Sequence, residues 1–177
     1  MKANVKFAKV RPDAKIPSKR QEDMGFDIYA CFEEDYIVFQ PHETKLISTG
    51  IASSCDPEYG FLLRERGSTG SKGMALRCGV LDSGYRNEWF IGITNSTDEY
   101  MFITKLESRE TMLDYFGNNF GALFNETSDF TFYPYSKAIA QALVVPVPEV
   151  EVEELSYEDL KAIPSERGLG ALGSSSK

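Results

Sequence analysis

Asp82 and Tyr85 stand three residues apart in "GVLDSGYRNEWFIGI" (Gly79 to Ile93), where two apolar flanks surround an Asp-Ser-Gly centre. That pattern reads as a β-hairpin: apolar strand, turn, second apolar strand. A carboxylate held near the closed end of a hairpin can orient a water and take its proton. A tyrosine ring just beyond it can lie against a flat or sugar-like ligand. Turn duty for Asp82 and Gly84, with packing for Tyr85, accounts for the same residues, so the hairpin alone leaves both readings open.

Four other stretches carry chemistry-bearing residues. "MGFDIYA" places Asp27 inside an apolar run, where a carboxylate is costly unless a cation or hydrogen-bond donors meet it. "RERGSTGSKG" sets Arg66, Ser68 and Thr69 among three glycines, which lets backbone N–H groups approach an anion closely. It lacks the G-x-x-x-x-G-K-[ST] spacing of a P-loop. "KAIAQALVV" carries one amide, Gln141, in an apolar strand, and a buried amide needs partners. The C-terminal "RGLGALGSSSK" follows one arginine, Arg167, with glycines and serines. A flexible linker has that composition, and so has a lid that folds over phosphate.

The elements that must position these residues are mostly short strands. "NVKFAKV", "FDIYACF", "YIVFQ", "TKLISTGIA", "GFLLRER", "MALRCGVL", "EWFIGITN" and "EYMFITK" are rich in β-branched and aromatic residues, with turn material between them. Their regular spacing implies an all-β fold, a sandwich or jelly-roll-like barrel. Two helical segments interrupt it: "SRETMLDYFG", with Ser108 as N-cap, and "SYEDLKAI", with Ser156 as N-cap and Pro164 as terminator. The prolines of "LVVPVPEVEVEEL" suit an edge or crossing segment better than a central strand.

Composition bounds the function. With 177 residues the chain is read as a single domain. A net charge of −8 argues against nucleic acid polymers as partners but allows a local anion site. Three cysteines, Cys31, Cys55 and Cys78, form no CxxC pair, and the single histidine, His42, leaves little for a zinc site or a serine triad. The absence of a membrane-length apolar run leads to the expectation of a cytoplasmic protein.

Taken in order, "GFD", "RGSTG", "GVLDSGYRNE", "AIAQ" and "RGLGALGSSS" resemble the five ordered motifs of the homotrimeric deoxyuridine triphosphatase (dUTPase) family, over Gly25 to Ser176. The resemblance implies a jelly-roll-like distorted β-barrel spanning residues 1–177, with an inserted helical or loop segment at about 106–129 and a flexible lid at 165–177. It implies hydrolysis of dUTP to dUMP and pyrophosphate with Mg2+, in a homotrimer whose sites lie between subunits.

Carried over residue by residue, Asp82 is the base for the water that attacks the α-phosphorus. Gly79, Val80 and Leu81 read the uracil edge, and Tyr85 stacks under the deoxyribose and excludes a 2′-hydroxyl. Arg66, Gly67, Ser68 and Gln141 hold phosphates, and Asp27 acts on the metal through water. Arg167 meets the γ-phosphate, while Gly168, Leu172, Gly173, Ser174 and Ser175 belong to the closing tail. Three positions depart from the family pattern: Leu172 replaces a usual phenylalanine, Gly67 a frequent serine and Asn87 a common glycine. The segment Leu106 to Asp129 is longer than the usual link; it reads as a surface insertion or, through Leu113, Tyr115, Phe116, Phe120, Leu123 and Phe124, as a protein-contact element. Two rivals remain at this stage, a dUTP-sensing regulator without turnover and a dCTP deaminase-type enzyme.

Overall fold

Apolar, β-branched and aromatic runs of four to seven residues, cut by Gly, Pro and Asp, can bury one face only by pairing into sheets. The computed structural model describes residues 2–77, 79–106, 109–120, 130–166 and 168–169. They divide into two units, 1–147 and 148–177.

The first unit holds twelve strands among its described residues. These are β1 (Val5–Lys9), β2 (Gly25–Ile28), β3 (Tyr36–Phe39), β4 (Thr44–Ser48), β5 (Ile51–Cys55), β6 (Tyr59–Arg64), β7 (Met74–Arg77), β8 (Val80–Leu81), β9 (Phe90–Asn95), β10 (Tyr100–Thr104), β11 (Phe130–Pro134) and β12 (Ala140–Pro146). Two helices join them, α1 (Gly67–Gly70) and α2 (Arg109–Phe120). The strands form four small sheets, ordered β1-β5, β11-β10-β3, β2-β12-β6-β8 and β4-β9-β7. Pairing is antiparallel except between β10 and β11. This is the all-β fold that the spacing of the strands implied, in the jelly-roll-like form that the resemblance added.

Trp89, Phe39, Phe61, Ile28, Ile47, Ile51, Leu63 and Ile91 fill the core at 0–1 % exposure. Trp89 meets Phe61 edge-on at 4.9 Å and Phe7 at 5.7 Å between ring centroids. Side chains of this size each contribute roughly 1.5–3 kcal/mol on burial. Gly50, at φ 65°, turns the chain between β4 and β5; a Cβ there would lie 2.7 Å from Ala14 Cβ and 2.9 Å from Cys31 Sγ.

Three expectations change, and one strand is new. The arms of the expected hairpin are β7 and β9, paired Met74↔Asn95 to Arg77↔Gly92, while β8 leaves them to pair with β6. The start of the proline-rich segment, Leu143–Pro146, belongs to β12, which lies between β2 and β6. Proline is tolerated there because β2 ends opposite Leu143, so beyond it β12 pairs on the β6 side alone. "FTFYP" is a strand, β11, laid parallel to β10. "GSTG", read as turn material, forms the short helix α1.

The insertion builds its own small core. Met112 of α2 is buried, and Tyr115 lies 5.8 Å from Tyr36, ring to ring, in a cluster with Phe102, Phe130 and Phe132. Leu113 is more exposed, at 36 %. The side chains of Phe116 and Phe120, and Ser108, Leu123 and Phe124 altogether, lie outside the described residues.

In the second unit, α3 (Tyr157–Ala162) starts at Ser156, whose Oγ accepts from Asp159 N at 3.1 Å, and the helix ends before Pro164, as the sequence implies. Among the described residues no helix is long and apolar enough to cross a membrane.

Candidate active site

Asp27, Gln141 and Arg64 stand side by side across three strands, β2, β12 and β6. Immediately after β6 the chain turns through Glu65 and Arg66 into α1. Glu65 anchors that turn: its Oε1 accepts from Leu76 N at 2.9 Å, and this bond holds the carboxyl below its usual range. Thr69, fully buried, fixes the other side, with Oγ1 accepting from Arg66 N at 2.9 Å and donating to Arg66 O at 3.0 Å.

Arg66 is thereby aimed back over the sheet. Its Nε lies 2.8 Å from Asp27 Oδ1, and its other nitrogens donate to Asp27 Oδ2 at 3.4 Å and Ser68 Oγ at 3.3 Å. The cation required by a carboxylate in an apolar strand is Arg66. Gln141 donates through Nε2 to Glu65 O at 2.8 Å. A backbone partner for this amide is what ordinary satisfaction requires. The amide also packs over Gly25, where a Cβ would come within 3.0 Å of Gln141 Oε1.

The result is an open groove of about 760 Å³ that gathers Asp27, Arg66, Gly67, Ser68 and Gln141. Its opposite wall is the loop of Ser18, Lys19, Arg20 and Asp23, which the sequence reading missed. Arg20 binds Asp23 at 2.9 Å through NH2, which lowers the Asp23 carboxyl from its ordinary value. Ser18 O accepts from Asp27 N at 2.9 Å, so this loop extends the β2 edge. The basic pair in "PSKRQED" was the available signal. A guanidinium, a hydroxyl, an amide and a glycine-lined turn facing one groove can hold a chain of phosphates.

The hairpin residues sit elsewhere. Gly79 O accepts from Leu63 N at 2.6 Å, and Val80 and Leu81 pair with Leu62 and Phe61 on the far edge of the same sheet. Asp82 follows, exposed, and its carbonyl accepts from Tyr85 N at 3.1 Å to close a turn. Tyr85 donates its hydroxyl to Glu88 O at 3.1 Å. Arg86 bonds back to Ser83 O and to Tyr85 O at 3.3 Å, which braces the turn. Glu88 in turn accepts from Gly50 N at 2.7 Å and from Ser48 Oγ. None of Gly79–Tyr85 lines the groove. Three strand spacings separate β2 from β8, about 14 Å.

Of the tail, Gly168 is described, with φ 55°. Arg167, Leu172, Gly173, Ser174 and Ser175 lie outside the described residues, as does Cys78.

The dUTPase family model matches residues 13–108, more than half of the chain. A deoxyuridine 5′-triphosphate nucleotidohydrolase of Nautilia profundicola is 31% identical over 98% of this chain and 99% of its own. The chain belongs to the dUTPase family. As a dUTPase it is an enzyme that hydrolyses dUTP. The Staphylococcus bacteriophage 80alpha dUTPase with dUPNHPP has a similar fold, with a TM-score of 0.71 at 22% identity, over 98% of this chain and 99% of that one. A mutant dUTPase from phage phi11 of S. aureus, whose structure reveals the coordination of a structural Mg(II) ion, has a TM-score of 0.62 at 19% identity, over 86% of this chain and 97% of that one.

Like other dUTPases, this enzyme is Mg2+-dependent. Among its described residues no group of three or more His, Cys, Asp or Glu is placed to hold a metal ion. Asp23 and Asp27 are the carboxylates that line the groove, and two carboxylates suit a Mg2+ that keeps much of its water and takes other oxygens from a bound phosphate chain.

Proposed function

We propose that the groove beside Arg66 holds the triphosphate of dUTP, and that Asp82 activates the water that attacks its α-phosphorus, releasing dUMP and pyrophosphate. The observation that carries this reading is the convergence of Asp27, Arg66, Gly67, Ser68 and Gln141 on one groove, with Asp82 on the other edge of the sheet. A base must stand within hydrogen-bond reach of its water, and Asp82 does not line the groove that gathers Arg66, Ser68 and Gln141. In this reading the hairpin of one copy meets the groove of another, within the homotrimer that the family resemblance implies.

In that assembly Asp82 holds and deprotonates the water. Arg66 turns from Asp27 toward phosphate oxygens, and Ser68 and Gln141 fix the chain of phosphates. Bound Mg2+ supplies charge neutralisation and polarises the phosphorus. The backbone of Gly79, Val80 and Leu81 reads the uracil edge, where an unmatched donor or acceptor costs enough to reject cytosine. Tyr85 closes the space a 2′-hydroxyl would need. Arg167 and the glycine–serine tail, Gly168, Leu172, Gly173, Ser174 and Ser175, cover the phosphates. Leu113 is the described apolar residue through which the insertion would contact a protein partner.

The test is pyrophosphate release from dUTP, dTTP, dCTP and UTP with Mg2+, for the wild type and Asp82→Asn. Turnover confined to dUTP, and lost in the variant while dUMP binding stays, supports the reading. Full turnover in Asp82→Asn removes it.

A further inference from the structure

Past Arg66 the phosphate groove meets a second cavity of about 390 Å³. The two share Asp27, Arg66 and Ser68, and the second adds Tyr29, Ser136 and Lys137. Lys137 belonged to a strand motif in the sequence, and nothing in the proposed mechanism uses it.

The cations around these two cavities differ in how they are engaged. Lys19 donates to the carbonyls of Asp23 at 2.6 Å and Arg20 at 3.1 Å. Arg20 is bound to Asp23, and Arg66 to Asp27. Lys15 donates to Ser136 O at 3.4 Å and lies 4.5 Å over the Tyr29 ring. Lys137 is exposed, and its ammonium has no hydrogen bond or ion pair among the described residues. It can receive an anion without first giving up a partner.

Its mount is firm. Lys137 N donates to Pro134 O at 3.0 Å, Ile139 N to Ile28 O at 2.8 Å, and the buried Tyr133 hydroxyl to Ala138 O at 2.6 Å. These bonds hold the backbone on both sides of Lys137 while the side chain stays in solvent. Arg66 Nη1, 3.5 Å from Ala138 O, stands between the two spaces. A phosphate chain bound at Arg66 and Ser68 thus has a free ammonium on its far side.

We infer that this second cavity is a diphosphate subsite in which Lys137 binds the part of the substrate beyond the α-phosphate. The inference rests on the proposed placement of the triphosphate at Arg66. Either the β,γ end of bound dUTP or free pyrophosphate supplies the same chemistry, several negative charges on adjacent phosphate oxygens. Lys137 has no carboxylate partner in the described structure to dilute that attraction.

The experiment compares Lys137→Gln, Lys137→Glu, Lys137→Arg and Arg66→Gln in the full-length enzyme with Mg2+, measuring inhibition by pyrophosphate, inhibition by dUMP, and KM and kcat for dUTP. Lys137→Gln is expected to raise the pyrophosphate inhibition constant about fivefold, the upper range for an exposed ion pair. Lys137→Glu raises it further and Lys137→Arg restores it, while dUMP inhibition stays within twofold. A parallel rise in KM assigns the subsite to the β,γ end of the substrate; an unchanged KM assigns it to the free product. If Lys137→Glu leaves both pyrophosphate inhibition and KM within twofold, while Arg66→Gln lowers kcat/KM about a hundredfold, the subsite is wrong and the groove stands. Wild-type turnover and KM in Arg66→Gln would remove the groove and the subsite with it.

Discussion

Arg66 Nε lies 2.8 Å from Asp27 Oδ1, so one ion pair bridges from the loop after β6 over β12 to β2. Both side chains are about one-third exposed, 30% and 34%. A pair this wet contributes at most about 1 kcal/mol to stability. In the proposed mechanism its role is placement, with Asp27 keeping Arg66 over the groove until phosphate competes for it. Arg66→Gln should therefore cost little in thermal stability but lower kcat/KM for dUTP by about two orders of magnitude, the scale of removing a charged phosphate contact. Parallel melting and steady-state rates check this. A melting loss that accounts for the lost activity would make Arg66 structural.

Two glycines of the groove should respond oppositely. A methyl at Gly25 would press on Gln141 Oε1 at 3.0 Å and Gln141 Cβ at 3.1 Å. Gly25→Ala is expected to displace Gln141 from Glu65 O, with a cost of about 1–3 kcal/mol and a fall in activity. Around Gly67 nothing lies within 4 Å of a built Cβ, so Gly67→Ser should leave stability unchanged within about 0.5 kcal/mol. Chemical denaturation of both variants separates the two cases.

Tyr85 gives a selectivity test. Its hydroxyl donates to Glu88 O, which fixes the ring beside the turn that carries Asp82. Tyr85→Ala should raise the UTP-to-dUTP ratio of kcat/KM at least tenfold, because the space for a 2′-hydroxyl opens and a methylene-sized discrimination is worth about 10–200-fold. Tyr85→Phe should keep the ratio. Unchanged selectivity in Tyr85→Ala would remove the sugar-gate role.

How the sequence prepared these residues varies with the range of the interaction. Asp27 in an apolar strand demanded a cation, and Gln141 demanded a backbone partner; local patterning implied both needs, and the sheet supplied Arg66 and Glu65 O. The strand periods were equally local, so nearly every β element was legible. Parallel pairing of β11 with β10 and the departure of β8 to β6 were not, because each depends on a neighbour remote in sequence. The Ser18–Asp23 wall was missed for the same reason: its polar residues resemble any loop until Asp27 N bonds to Ser18 O. The aromatic insertion read as a surface insertion or a protein-contact element, yet Met112 and Tyr115 are drawn onto Tyr36 and Phe102 by the burial of their own apolar surface.

Cys31 gives the protein an alkaline limit. Burial, with the Asp13 hydrogen bond second, pushes its thiol up to about 11, while Arg11 acts weakly the other way. In the unfolded chain the thiol ionises from about 9, so between these values the unfolded state has lost a proton that the folded state keeps. Stability from this group is whole below pH 9 and declines as pH rises toward 11. Denaturation midpoints at pH 8 and 10.5 should differ less in Cys31→Ala than in the wild type.

The central claim is that Asp82 of one copy works on phosphate held by Arg66 of another. As pure proteins Asp82→Asn should be inactive and Arg66→Gln should retain about one hundredth of wild-type kcat/KM. Unfolding them together and refolding an equal mixture should restore pyrophosphate release to about one quarter of wild type, since random assembly pairs an intact hairpin with an intact groove at that frequency. A mixture as inactive as its two parents would place base and groove in the same chain and contradict the account.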